Sequence, residues 1–428
     1  MSMADRAAAG MNGRPRLLFL SPVMPAIGGN GLAMRAGLFL DALAADFLVD
    51  LLVVPVADPD CGGALPKFVA ERTQNAKVLG LAATIDPHFA LIAGLDDIEI
   101  RDAALVAYPR PFLCRHSTGR AVARATALFG AEPYAALHVL RLYMAPFAAP
   151  FLDRESPPVA VLDLDEVESH SHRRLADLCR LDGDGDGAAR MDAEAEKFAA
   201  FEAEWLGRFD RVLCSAETER DRLGDAVAPS AGTVVPNALA AQPAVADDGA
   251  GAGDRFLFVG SMGFAPNADA ARYFCAEVWP AVSAGLGESA RLTIVGSHPP
   301  ALVRNLAARP GVVVTGAVTD VGPYYADADI AVVPLRAGGG TRIKVLEAFA
   351  LGRPVIATKL GAEGLHVRHD EDIWLAEGPV DMAAACIRLA GDRGLRRHLA
   401  AGGRRTLAAH YDADKVKAEI VALYRPRD

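Results

Sequence analysis

Three consecutive glycines, Gly338–Gly340, stand between a buried strand-like run that ends at Pro334 and a helical pattern that begins near Thr341. Glycine allows the backbone to come close to a ligand and to present its amide N–H groups. The N-terminus of a helix adds the positive end of the helix dipole, so a junction of this kind suits an anion. The segment is therefore a candidate phosphate-binding site.

Two cations follow at the start of the predicted helix. Arg342 and Lys344 are expected in its first turn, where positive charge opposes the helix dipole unless an anion is present. A diphosphate would supply that anion. Glu347, one turn further along, can accept hydrogen bonds from a ribose diol, as acidic residues do in other nucleotide sites. The alternative is that Arg342 and Lys344 are solvated surface charges and that Glu347 pairs with one of them.

The elements that must position these residues alternate between strand and helix. Continuous apolar runs predict strands in both halves of the chain, over residues 16–20, 49–54, 137–140, 159–164, 211–214, 233–235, 256–259, 292–295, 312–315, 330–334 and 355–358. Helical patterns lie between them, for instance over residues 32–43, 268–284 and 342–351. Such strands joined by helices indicate parallel sheets covered on both faces, and so an α/β protein with two doubly wound sheets.

The length and a local change in composition predict two domains. At 428 residues the chain is too long for one ordinary core, and residues 240–254 are rich in Ala, Gly, Asp and Pro without periodicity. The predicted segments are a disordered lead-in over 1–15, an N-terminal domain over 16–237, a linker over 238–254, a C-terminal domain over 255–410, and a helix over 411–428 that returns to the N-terminal domain.

The overall composition excludes several classes of function. The net charge of −10 argues against a broad surface for nucleic acid, and no stretch approaches the roughly 20 apolar residues that span a bilayer. The six cysteines are scattered without metal-like spacing, which indicates buried thiols in a reducing cytoplasm. We expect a cytoplasmic protein without a transmembrane segment; peripheral attachment to the inner face of the membrane stays open.

One acidic segment begins like a calcium-binding loop. Asp182–Gly187 has acids at the first, third and fifth positions and glycine at the sixth, but the twelfth position is Ala193, which cannot supply the bidentate carboxylate. The segment is therefore interpreted as a flexible, solvated loop, and no metal site is predicted.

Several motifs taken together resemble the retaining GT-B glycosyltransferases of family 4, the glycosyl transferases group 1. The motifs are Val235–Asn237, Phe258–Ser261, Val333–Leu335, Gly338–Ala348 and Gly352–Thr358. The resemblance implies the GT-B fold, with two Rossmann-like domains facing each other across a cleft, the donor bound by the C-terminal domain and the acceptor by the N-terminal one. It also implies transfer of a sugar from a nucleotide-diphosphate sugar, such as a UDP- or GDP-sugar, with retention and without a metal or other cofactor.

The resemblance assigns roles to individual residues. Glu347 looks like the family glutamate that holds the donor ribose, while Arg342 and Lys344 would act in catalysis by supplying positive charge to the diphosphate. Further donor-binding positions are expected in loops; they are Gly29, Gly31, Ser261, Val318, Gly339, Gly340 and Thr341. In this assignment the loop of Gly29 and Gly31 closes over the diphosphate, Ser261 lies near the phosphates, and the turn Thr315–Val318 contacts the nucleobase through backbone groups.

The sequence departs from the family pattern at two places. Many members carry a second glutamate, eight positions before the ribose glutamate, that contacts hydroxyls of the donor sugar; here that position is Gly339. Many also have an Arg-Lys pair after the first strand of the second domain, where this chain has Gly263–Asn267. The identity of the donor sugar is therefore left open.

A second candidate site follows the apolar run over residues 159–164. Asp165, Glu166 and Glu168 can orient an acceptor hydroxyl or stabilise positive charge on a sugar ring, with Asp165 as the catalytic candidate. The structural alternative is that these acids cap the following helix. Arg141 and Tyr143 follow another strand, where they either contact the acceptor or serve ordinary packing.

These observations favour a hexosyltransferase-type glycosyltransferase acting on a hydroxyl acceptor, with a lipid-linked molecule and a saccharide both open. One alternative is a nucleotide-sugar epimerase on the same fold. Another is a catalytically weakened partner subunit that binds nucleotide, which Gly339 motivates. A nicotinamide dehydrogenase is disfavoured, because Gly28–Gly31 does not form the GxGxxG pattern.

Overall fold

The computed structural model describes residues 13–58, 64–224, 232–240, 242, 253–340 and 342–425. The chain divides into two compact units, one formed by Met1–Pro236 with Val416–Asp428 and the other by Asn237–Lys415. Residues 1–12 of the predicted lead-in, most of the predicted linker, Cys61 and Thr341 lie outside the described residues.

The first unit is built on a seven-stranded parallel sheet with the order β3-β2-β1-β4-β5-β6-β7. Its strands are β1 (Arg16–Ser21), β2 (Leu48–Val53), β3 (Asn75–Val78), β4 (Ala136–Leu140), β5 (Val159–Asp165), β6 (Arg211–Cys214) and β7 (Gly232–Val234). The central strands are buried along nearly their whole length, which explains why they appear in the sequence as continuous apolar runs. β3 was not predicted, because three of its four residues are exposed.

Helices connect these strands. They are α1 (Gly31–Asp46), α2 (Lys67–Ala70), α3 (Pro87–Ala93), α4 (Ile98–Ala107), α5 (Gly119–Phe129), α6 (Ala149–Leu152), α7 (Glu168–Leu181), α8 (Gly185–Trp205) and α9 (Glu217–Arg222). The segment Asp182–Gly187, predicted as a flexible loop, is instead a tight turn followed by the first residues of α8. The Asp184 carboxylate accepts a hydrogen bond from the Gly187 amide at 2.8 Å and so caps α8, which begins at Gly185.

The second unit has a six-stranded parallel sheet with the order β10-β9-β8-β11-β12-β13. Its strands are β8 (Arg255–Val259), β9 (Arg291–Val295), β10 (Val312–Val314), β11 (Ile330–Val333), β12 (Val355–Ala357) and β13 (Trp374–Leu375). The helices are α10 (Ala265–Tyr273), α11 (Trp279–Leu286), α12 (Ala301–Arg304), α13 (Gly322–Asp327), α14 (Ile343–Ala350), α15 (Gly378–Gly391) and α16 (Arg393–His410). The last helix, α17 (Ala413–Ala422), begins in this unit and lies mostly in the first one. A π-helical turn over Phe274–Val278 joins α10 to α11, in the region predicted as one helix over 268–284.

Both units are doubly wound, Rossmann-like α/β domains, as predicted. In each sheet the chain starts in the middle, at β1 or β8, and builds first to one side and then to the other. The strands at which the direction reverses are β1 and β4 in the first unit and β8 and β11 in the second. In open parallel sheets the carboxyl ends of such strand pairs are where ligands bind.

The last residues of the chain pack on the first sheet. The Tyr424 hydroxyl lies 2.6 Å from His138 Nδ1 in the middle of β4, and Lys417 pairs with Asp41 of α1 at 2.6 Å. Among the described helices, none combines the length and the apolar character needed to cross a bilayer.

Candidate functional site

Two loops leave the second sheet at its reversal point. One follows β8 and runs through Ser261 to the first turn of α10; the other follows β11 and runs through the triple glycine to α14. Because β8 and β11 are neighbouring parallel strands, both loops emerge at the same edge of the sheet. The predicted glycine-rich site therefore lies at the position that this fold favours for a ligand.

The glycine turn is held by the Arg342 side chain. Arg342 donates hydrogen bonds to the carbonyl oxygens of Gly338 at 3.1 Å, Gly339 at 2.5 Å and Leu360 at 3.0 Å, and its side chain is only 5% exposed. Gly338 and Gly340 have φ angles of +107° and +70°, which glycine adopts without strain. The turn is thus a shaped loop fixed around one guanidinium group.

This arrangement corrects the predicted start of the helix. α14 begins at Ile343, and Arg342 precedes it rather than lying in its first turn. The reason is that the Arg342 backbone follows the glycine turn while its side chain folds back onto the turn's carbonyl oxygens. Neither Gly339 nor Gly340 donates a hydrogen bond from its amide to another described residue.

Lys344 does lie in the first turn of α14. Its Nζ donates a hydrogen bond to Asn267 Oδ1 at 2.5 Å and lies 5.3 Å from the centre of the Phe258 ring. Burial and, to a smaller extent, the nearby Arg342 cation together lower the pKa of Lys344 to about 7, while Glu347 acts in the opposite direction. Burial thus disfavours the charged form of Lys344. An anionic ligand would stabilise that form and raise the pKa of Lys344 again.

Glu347 lies one turn after Lys344, and its side chain is partly buried. Burial raises the pKa of Glu347 to about 7, against the opposing effects of Tyr325 and Lys344. The Tyr325 hydroxyl lies 3.4 Å from Glu347 Oε2 and 3.1 Å from the Lys344 carbonyl oxygen. In its ionised form Glu347 can accept hydrogen bonds from a diol, which is the role predicted for it.

Asn267 connects the two loops, although it is not among the predicted site residues. Its Nδ2 donates to the Ser261 carbonyl oxygen at 2.9 Å, while its Oδ1 accepts from Lys344. Ser261 also receives a hydrogen bond of 3.3 Å from the Ser297 hydroxyl. In the sequence, the segment Gly263–Asn267 is distinctive only because it lacks a pair of cations. A neutral amide in a first helical turn gives no sequence signal for such a contact.

Asn267 contacts both the Ser261 carbonyl oxygen and the Lys344 ammonium, and so links these two predicted site residues. The glycine turn, Lys344 and Glu347 follow one another along the chain. Val318 follows the strand β10 and the Gly316 turn, at the far side of β9 from β8, and packs partly buried against the apolar core. Gly29 and Gly31 belong to the other unit. Gly29 has a φ of +105°, Asn30 caps α1 through a 2.8 Å bond from the Ala33 amide, and Gly31 is the first residue of that helix.

The residues predicted for an acceptor site form an ion cluster at the ends of β4 and β5. Arg141 lies 3.6 Å from Asp165, 2.5 Å from Glu166 and 3.3 Å from Glu168. Burial raises the pKa of Glu168 to about 7, partly offset by Arg141. Arg141 and Asp165 have φ angles of +70° and +62°, which are unusual for residues with a side chain and mark functional sites in many proteins.

The alternative that these acids cap the following helix is wrong for this cluster. α7 begins at Glu168, and its N-cap residue Val167 makes no capping bond. The Ser169 amide in the first turn donates to Glu202 Oε1 at 3.0 Å, so the capping carboxylate is not one of the three predicted acids. The carboxylates pair with Arg141 instead. Tyr143 is 3% exposed, in a short 3₁₀ segment of buried residues, so its place is in the packing of the domain.

A second buried ion pair lies beside this cluster. Arg35 donates to Asp163 through Nε at 2.8 Å and Nη2 at 2.7 Å, and both side chains are fully buried. Arg35 also donates to the carbonyl oxygen of Val235 at 3.0 Å, near the end of the first unit's main segment. Nothing in the local sequence predicts this pair, because its members are 128 positions apart.

The second unit is similar to a known protein family. Residues 253–392 match the family model of the glycosyl transferases group 1, a segment that contains the glycine turn, Lys344, Glu347 and Asn267. Among curated protein sequences, none matches the chain significantly.

Several solved structures are similar over almost the whole chain. The sucrose-phosphate synthase from Thermosynechococcus elongatus has a TM-score of 0.67 at 17% identity and covers 96% of this chain and 98% of its own. Anabaena HepE, solved in complex with UDP and glucose, has a TM-score of 0.59 at 14% identity, with 95% and 98% covered. S. aureus TarM has a TM-score of 0.64 at 10% identity, with 96% and 100% covered. At these identities the likeness shows the fold, which is the GT-B type.

Proposed function

We propose that the protein is a glycosyltransferase that moves a sugar from a nucleotide-diphosphate sugar to a hydroxyl acceptor, without a metal and with retention at the anomeric carbon. The observation that carries the proposal is the position of Lys344 and Glu347, which follow the triple-glycine turn at the reversal point of the second sheet. The family match over residues 253–392 and the UDP bound by the similar HepE support it.

The donor half of the mechanism follows from these contacts. The Lys344 ammonium and the amides of the glycine turn bind the diphosphate, Arg342 keeps the turn in shape, and the Glu347 carboxylate holds the ribose. Preorganised donors of this kind contribute on the order of 2–4 kcal/mol each to the transition state. As the bond between the anomeric carbon and the diphosphate oxygen breaks, its electron pair passes to the diphosphate, where the positive groups stabilise the charge.

The acceptor half is assigned to the first unit. The acceptor hydroxyl attacks the oxocarbenium-like carbon from the face that the diphosphate leaves, and its proton passes to the departing phosphate oxygen. Asp165 orients this hydroxyl, and Arg141 is the positioning residue that holds Asp165. Lipid-linked molecules and saccharides both remain candidate acceptors, and we expect the protein to act in the cytoplasm.

The first experiment identifies the donor. Thermal unfolding is followed with UDP-, GDP-, ADP- and dTDP-sugars, since a ligand at 100 times its dissociation constant stabilises the protein by about 2.7 kcal/mol. We expect stabilisation by one nucleotide class, lost in Lys344→Met and retained in Lys67→Met, which removes an exposed lysine. If no nucleoside diphosphate sugar stabilises the wild-type protein, the proposal is wrong.

Two observations favour a second candidate function. Gly339 replaces the expected sugar-binding glutamate, and three main-chain carbonyl groups occupy the Arg342 guanidinium. Both features fit a partner subunit that binds nucleotide without consuming it. Product analysis separates the candidates: a transferase consumes the donor with an acceptor, an epimerase converts the donor alone, and a binding subunit does neither.

A further inference from the structure

The Lys344 ammonium depends on a neutral acceptor. An ammonium group has three N–H donors, and among the described residues Asn267 Oδ1 is the hydrogen-bond acceptor of Lys344 Nζ. An amide oxygen holds the cation in place without cancelling its charge. A carboxylate at the same position would neutralise it and would repel a diphosphate.

The orientation of the Asn267 amide is determined by its two partners. The Nδ2 group faces the Ser261 carbonyl oxygen and the Oδ1 atom faces the Lys344 ammonium. If the amide were rotated by half a turn, its NH₂ would face the ammonium and its oxygen would face the carbonyl oxygen, and both contacts would be repulsive. The side chain therefore has one favourable orientation.

The surroundings fix this side chain further. Asn267 is 7% exposed, and a Cβ atom added to Gly260 would lie 2.9 Å from Asn267 Cγ. Glycine at position 260 thus leaves the space that the amide occupies. The Asn267 backbone N–H donates to the Phe264 carbonyl oxygen at 3.0 Å, which secures the first turn of α10.

We propose that Asn267 is a positioning residue that holds the Lys344 ammonium beside the Ser261 loop with its charge intact, so that both can bind one diphosphate. This inference rests on the proposed function, because it takes the diphosphate of a nucleotide sugar as the ligand. It explains how a chain without a pair of cations after β8 brings positive charge to that loop: the amide ties a lysine of α14 to it.

Two variants with opposite electrostatic effects test the proposal. Asn267→Asp keeps the shape and adds a negative charge, and Asn267→Leu keeps the approximate size and removes the acceptor. Asn305→Asp serves as the matched control, since it adds the same charge at an exposed position of the same unit. The probes are pyrophosphate, which does not depend on the nucleobase, and UDP, each titrated calorimetrically across a range of pH.

The expected results differ in direction between the variants. Asn267→Asp weakens pyrophosphate binding by about 10- to 100-fold, which corresponds to about 1.4–2.8 kcal/mol. The added carboxylate also keeps Lys344 protonated to higher pH, so the decrease in affinity with rising pH begins at a higher pH than in the wild type. Asn267→Leu also weakens binding but shifts that decrease to lower pH, because the ammonium has lost an acceptor. A purely structural role would not move the pH dependence in opposite directions. Asn305→Asp changes neither quantity.

The outcomes separate the two levels of the proposal. If the wild type binds pyrophosphate or UDP and both Asn267 variants bind equally well with unchanged pH dependence, the role of Asn267 is refuted while the nucleotide site stands. If the wild type binds neither pyrophosphate nor any nucleoside diphosphate, both proposals fall. Thermal unfolding identifies a variant that fails to fold, and the isosteric Asn267→Asp then carries the test.

Discussion

Lys344 and Glu347 lie one turn apart on α14, and burial brings the pKa of each to about 7, from opposite directions. A lysine and a glutamate in water would both be fully charged at this pH. In this helix each charge is costly until a ligand stabilises it. A diphosphate would stabilise the ammonium, and a ribose diol would stabilise the carboxylate.

We therefore predict that nucleotide binding is strongest near pH 7. A bound diphosphate raises the pKa of Lys344, so the complex holds a proton that the free protein loses above about pH 7, and affinity falls as pH rises. A diol that donates to Glu347 lowers its pKa, so affinity also falls as pH drops below about 7. On either side of pH 7 the binding affinity changes by at most about tenfold per pH unit. Calorimetric titration at several pH values measures the decrease in affinity above and below pH 7, and Glu347→Gln should abolish only the decrease below pH 7.

Replacing Lys344 should separate function from stability. Lys344→Met removes a cation that is costly to bury and leaves a side chain of similar length, so the free energy of unfolding should stay equal or rise. Turnover should fall by about 10²- to 10³-fold, as when one transition-state donor is lost. Steady-state kinetics and denaturant unfolding measure the two quantities. Normal turnover in this variant would contradict the donor assignment.

Arg342 should behave differently, because it binds the protein's own backbone. Arg342→Ala leaves one buried and two partly buried carbonyl groups without this donor, and an unsatisfied buried group costs about 1–3 kcal/mol, so stability and donor binding should fall together. Arg342→Lys should recover only a part, since an ammonium cannot reproduce the planar fork. Arg368→Ala, at an exposed position, is the control. Unchanged stability in Arg342→Ala would show that the glycine turn does not depend on this side chain.

Gly296 should be essential for the shape of the Ser261 loop. A Cβ atom at position 296 would lie 1.7 Å from the Gly260 carbonyl oxygen, so Gly296→Ala must push apart the ends of β8 and β9. We expect a loss of about 1–3 kcal/mol in stability and weaker nucleotide binding. Gly391→Ala has open space around it and should leave both quantities nearly unchanged. Thermal unfolding with and without UDP compares the two variants.

The buried pair of Arg35 and Asp163 should be a major determinant of the first unit's stability. Arg35→Met leaves Asp163 as an unpaired buried carboxylate, at a cost of about 3–5 kcal/mol. Adding Asp163→Leu should recover part of the loss, because two apolar side chains leave no buried charge. Arg120→Met, which removes an exposed arginine, should have little effect. Denaturant unfolding tests this, and equal stability of the single and double variants would contradict it.

The strands illustrate how far sequence reasoning extends. β5 and β11 are buried on both faces, so apart from Asp163 and Asp165 at the end of β5 their residues are apolar, and both were recognisable as strands. β3, at the edge of the first sheet, is mostly exposed, and β13 has only two residues. Neither strand has the continuous apolar run from which the other strands were predicted. The glycine turn was also predictable, because the positive φ angles of Gly338 and Gly340 favour glycine, and consecutive glycines are recognisable in a sequence.

The amino-acid sequence alone determined two parallel α/β halves and the segment in which a phosphate would bind, since buried strands and left-handed turns restrict residue type locally. The tertiary structure decided what each charged side chain contacts: Arg342 binds the glycine turn, and Lys344 contacts Asn267, 77 positions away. Such contacts depend on which loops the packed sheet brings to the same edge. Local residue spacing does not indicate which loops meet, because the two partners lie far apart in the sequence and neither carries a mark of the other.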